Sequence, residues 1–86
     1  MENLLNNLET IGLFEIARIV RFDWKRIYFG AEPYVSAMRD LSFIDDSYGF
    51  DSGRDIVSYF LANASTWRGP VAKAVKAELK RRLAKR

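Results

Sequence analysis

A chain of 86 residues that is 49% hydrophobic, 29% charged and 14% aromatic has the composition of a small globular protein, not of a disordered one. It has neither cysteine nor histidine, which excludes disulfides, thiolate chemistry, the commonest metal ligand and the commonest general base at neutral pH. A chain this short buries only about 60–65% of its unfolded surface, so good packing or a partner must supply its stability.

In chain order, Leu4, Leu8 and Ile11 fall at helical spacing before Gly12 interrupts them, which predicts a short helical or irregular segment. From Leu13 the pattern improves. Leu13, Ile16, Ala17, Val20, Trp24 and Ile27 recur every three or four residues, predicting an amphipathic helix of about four turns with Thr10 as a candidate cap. The Tyr28-Phe29-Gly30-Ala31 stretch reads as a break in which Gly30 permits a backbone turn unfavourable to other residues. Pro33 suits the first position of a second helix, over about 33–42, with Tyr34, Ala37, Met38 and Leu41 on one face. Residues 42–52 read as the longest loop, acidic but rich enough in aromatics to fold back onto the core. Ser52 with Asp55 has the spacing of a capping box and predicts a third helix over about 53–64. Thr66 or Gly69 then caps a last helix, with Pro70 in its first turn and a stripe of Val71, Val75, Leu79 and Leu83 widened by Ala72. The expected fold class is all-α: one domain, 1–86, built as a compact bundle of about four short amphipathic helices, with a basic C-terminal helix at about 70–86.

Catalytic and metal-binding motifs fail on spacing. A calcium loop begun at Asp45 places Ile56 at its twelfth position, and one begun at Asp46 places Tyr48 and Phe50 where oxygen ligands belong. Glu78-Leu79-Lys80 has a nuclease-like spacing but lies in a helical pattern. Ser65 with Lys73 lacks an apolar setting for the lysine, and Gly49 and Gly53 are not followed by the residues of a phosphate loop. The reading is a non-enzymatic chain without cofactor or metal. The first residues lack the basic and apolar regions of a signal peptide, and no window approaches a membrane span, so the expected location is cytoplasmic.

The net charge of +3 conceals a segregation. Residues 73–86 hold seven basic groups against Glu78 alone, and the rest of the chain is slightly acidic. One consequence is a solvated helix end favoured by the macrodipole. Another is nucleic-acid binding: Arg18, Arg21 and Lys25 share one helix face, and Lys73, Lys76, Lys80 and Arg81 lie on another. Lipid contact by the last helix is disfavoured, because its stripe has no Trp or Phe anchor.

Twelve aromatic residues are many for so small a core. Tyr28, Phe29 and Tyr34 gather around one turn, Tyr48 lies in the acidic loop, and Trp67 precedes Arg68. Tyr, Trp and Arg dominate interface hot spots, so Tyr28, Tyr34, Tyr48, Trp67 and Arg68 are the candidate protein-binding residues. Core packing, with hydroxyls reaching the surface, is the alternative for the aromatics, Trp67 above all. At residues 28–34 (YFGAEPY) and 63–69 (NASTWRG) the chain resembles a group of small, largely uncharacterised bacterial proteins of phages, plasmids and integrative elements. That resemblance implies a stoichiometric binder of a host protein or complex, such as an inhibitor of a host defence system. Nucleic-acid binding is the alternative, and a homodimeric interaction protein a further one.

Overall fold

The computed structural model of the chain describes residues 7–84. Leu4, Lys85 and Arg86 therefore lie outside the described residues. Four helices, α1 (Leu13–Asp23), α2 (Glu32–Met38), α3 (Gly53–Ala62) and α4 (Pro70–Ala84), enclose one core, and a small hairpin of β1 (Ser47–Tyr48) and β2 (Asp51–Ser52) precedes α3. The radius of gyration, 11.8 Å, is what a compact chain of this size has, about 12 Å.

The fold is thus mostly helical but not purely all-α. The antiparallel pairing of Ser47 with Ser52 and Tyr48 with Asp51 leaves Gly49 and Phe50 as a two-residue turn. Gly49 takes a φ of +61° while Phe50 does not, the arrangement of a type II′ turn, whose twist suits a hairpin. The loop folds onto the core only through Ile44, which packs against it. Phe43, Tyr48 and Phe50 all face solvent. Asp46 organises the segment instead. Its carboxylate accepts the Ser42 and Phe43 N–H groups at 2.9 Å each, and its carbonyl accepts the Gly53 N–H at 2.7 Å.

Residues 7–10 form a turn, and Thr10 does not cap α1. Its hydroxyl donates to Asn7 O at 2.9 Å. The first donors of α1 are satisfied from across the fold: Leu13 N–H reaches Ser42 O at 3.0 Å, and Phe14 N–H reaches Leu41 O at 2.8 Å. Helix α1 also ends earlier than its periodicity suggests. Trp24 caps it, donating its N–H to Val20 O at 2.7 Å, and turns its ring inward. Helix α2 stops at Met38, and tighter i→i−3 turns carry the chain to Leu41. Its buried face is Val35, Ala37 and Met38, so Tyr34 sits at the edge of the apolar face.

Helix α3 begins as its sequence predicts. Ser52 Oγ accepts the Asp55 N–H, and the Asp55 carboxylate accepts the Ser52 N–H, each at 3.2 Å. Gly53 is required here by space: a Cβ would fall 2.6 Å from the Ile44 carbonyl oxygen. Helix α4 buries Ala72, Val75 and Leu79, with Val71 and Leu83 half-buried.

Glu78 is the buried charged residue of the core, 6% exposed. Arg81 grips both its oxygens at 2.8 and 2.6 Å, and Arg82 Nε donates to it at 2.6 Å. The second Arg82 nitrogen, Nη2, donates to Leu8 O and Ile11 O at 3.0 and 2.9 Å, which ties the N-terminal segment to α4. The Arg81 hydrogen bond, seconded by Arg82, holds the Glu78 carboxyl below the ordinary glutamate value despite its burial.

Candidate functional site

The aromatic residues divide into an interior set and a surface set. Inside, Trp24 and Trp67 stack with centroids 5.6 Å apart and planes 8° from parallel. Phe60 presents edges to both, at 6.4 and 6.2 Å. Trp67 Nε1 donates to the Asp23 carboxylate at 2.9 Å, so its one polar atom is satisfied. At 2% exposure Trp67 is a core anchor, and the expectation that it lies on a binding surface is corrected by this packing.

Outside lie two ring pairs. Tyr28 and Phe29 lie 4.9 Å apart, and Tyr34 of α2 and Tyr59 of α3 lie 5.3 Å apart. Tyr28 packs beside Gly30 and Asn63. A Cβ on Gly30 would fall 2.5 Å from the Tyr28 ring and 2.9 Å from Asn63 Oδ1, so both groups pack over the bare glycine. Asn63 Nδ2 in turn donates to Tyr59 O at 2.9 Å. Gly30 therefore serves close approach rather than an unusual turn: the glycines of positive φ are Gly49 and Gly69. Phe29 is 81% exposed, Tyr28 and Tyr59 are also exposed, and Tyr34 is half-buried.

Of the residues predicted to bind protein, Tyr28 and Tyr34 each belong to a surface ring pair, with Phe29 and Tyr59 respectively. Tyr48 is exposed on β1 and takes part in none of the aromatic pairs among the described residues. Arg68 is exposed but belongs to a different surface, described next. Tyr59 escaped the sequence reading because it stands next to the buried stripe of α3. Its signal is the helical offset from Ile56 and Phe60, which turns it toward α2.

The second surface is a groove of about 630 Å³ along α4 from Pro70 to Lys80. Trp67, Pro70, Ala72 and Ala77 supply apolar lining, and Arg68, Lys73, Lys76 and Lys80 supply charge. Lys76 Nζ donates to Trp67 O at 2.6 Å, holding the 67–69 segment against the helix. Burial first, then the positive charges of Lys80 and Arg68, push the Lys76 ammonium below the ordinary lysine value.

The basic residues predicted for nucleic acid do not converge as one face. Lys73, Lys76 and Lys80 share the groove. Arg81 instead pairs with Glu78 at 2.6 Å. Arg21 is likewise engaged: it bonds both Glu32 oxygens at 3.2 and 3.0 Å, and Ser36 Oγ at 3.0 Å, pinning α1 to α2. Arg18 is exposed on α1, and Lys25 lies over the Phe22 ring at 5.0 Å. Among the described residues no helix is long and apolar enough to cross a membrane. The chain matches no protein-family model, no curated protein and no solved structure.

Proposed function

We propose that this chain is a cytoplasmic, non-enzymatic binding module that engages a partner protein through the cluster of Tyr28, Phe29, Tyr34 and Tyr59. The observation that carries the reading is Phe29, a large apolar side chain left 81% exposed against Tyr28 while the core closes without it. Aromatic side chains of this kind have two rotatable bonds, lose little entropy on docking and bury much surface, which is why they dominate hot spots. The resemblance to proteins of phages and other mobile elements supports a host protein or complex as the partner, held stoichiometrically.

Affinity capture from host lysate tests the reading, with wild type compared against a Phe29→Ser/Tyr59→Ser variant. Wild type is expected to retain a protein in near-equal amount. The variant is expected to lose it while keeping the wild-type circular dichroism spectrum. Equal capture by both proteins rules the cluster out as the binding surface. Concentration-dependent dimerisation of wild type, lost in the variant, assigns the cluster to a second copy instead.

A further inference from the structure

The α4 groove bears on a separate activity, because it uses none of the aromatic cluster. Four cations, Arg68, Lys73, Lys76 and Lys80, line it. Among the described residues none of the four belongs to an ion pair, whereas Arg21, Arg54, Arg81 and Arg82 all do. Like charges crowded along one groove repel one another in the free protein. The positive end of the α4 macrodipole lies at the same place and adds to the field. A bound anion relieves that repulsion, and the four charges call for several anionic groups rather than one.

We propose that this groove binds the phosphate backbone of a nucleic acid. Three of its four cations are lysines, compact point charges that bind phosphate without a fixed geometry. Lys73, Lys76 and Lys80 follow the helix axis, spanning about 10 Å at 1.5 Å per residue. A line of positive charge of that length matches a polymer charged at every unit, not a single headgroup. Contacts from these cations to phosphate carry no sequence information, so the proposed interaction is one with the backbone.

Fluorescence anisotropy with a labelled oligonucleotide of about 20 residues, single-stranded and duplex, tests the proposal at about 50 and 200 mM salt. Four phosphate contacts predict a loss of affinity of about 50-fold for the single strand and about 150-fold for the duplex over that range. Lys73→Gln/Lys80→Gln, which removes two exposed charges, should weaken binding and reduce those factors to about 7 and 12. Arg18→Gln/Lys25→Gln, on α1, should leave both unchanged. No binding at the lower salt overturns the proposal, as does an equal loss from the α1 and α4 variants. A polyglutamate peptide that binds as tightly as the oligonucleotide overturns it in favour of an acidic protein segment. Concentration-dependent self-association abolished by the α4 variant overturns it in favour of the acidic hairpin of a second copy.

Discussion

Trp24 and Trp67 lie face to face in the interior, while Tyr28 and Phe29, a few residues beyond Trp24, stand in solvent. All four follow the end of a helix, so local structure does not separate them. The difference is what each meets across the fold. The indoles find each other, the edges of Phe60 and, for Trp67, a carboxylate that accepts its N–H. Tyr28 and Phe29 pack on each other, and Gly30 lets the tyrosine lie close. Aromatics of the first kind lie in the core, and those of the second kind stay accessible at the surface.

The contrast breaks most sharply at Trp67. Replacing it with alanine removes the stack and strands Asp23, and should cost about 3–5 kcal/mol in chemical denaturation. A cost below about 1 kcal/mol would mean that the stack does not hold the core. Next comes α4, where two neighbouring residues face opposite ways. Leu79→Ala should cost about 2–5 kcal/mol, and Lys80→Ala no more than about 0.5 kcal/mol. Equal, small effects would show that α4 is not docked.

Glu78→Gln should cost about 1.5–3 kcal/mol, the range of hydrogen bonds to charged groups. It also has a pH signature. The folded-state pKa of Glu78 lies below the unfolded value, so its contribution is present above about pH 4.3 and is lost as pH falls through the folded value. Denaturation midpoints of wild type should therefore fall more steeply below that pH than those of Glu78→Gln. Parallel curves would remove the buried carboxylate from the account. The smallest effect belongs to the surface: Phe29→Ser should change stability by no more than about 0.5 kcal/mol. A larger loss would place Phe29 with the interior set.

Much of this architecture is legible along the chain. The Ser52 and Asp55 box, Pro70 and the Val75 and Leu79 stripe mark α3 and α4 because each depends on residues within one helical turn. The Arg81 and Arg82 offsets of three and four from Glu78 are also readable, since such pairs meet on one helix face. The burial of Glu78 is not, because it depends on Leu8 and Ile11 arriving from the far end of the chain. Arg21 looked available for nucleic acid for the same reason: its partners, Glu32 and Ser36, belong to the next helix. The hairpin escaped notice because a two-residue strand has no periodicity to detect.

By itself, the amino-acid sequence determined the helical periods, the caps of α3, the segregation of basic charge into α4 and the lack of thiol and imidazole. Those properties are local or compositional, and no other part of the chain can alter them. Only the tertiary structure decided which aromatics are core and which are surface, and which cations stay unpaired. Both outcomes depend on what long-range packing brings alongside: an indole buried against Asp23, a guanidinium neutralised by Glu32, and three lysines left facing an open groove.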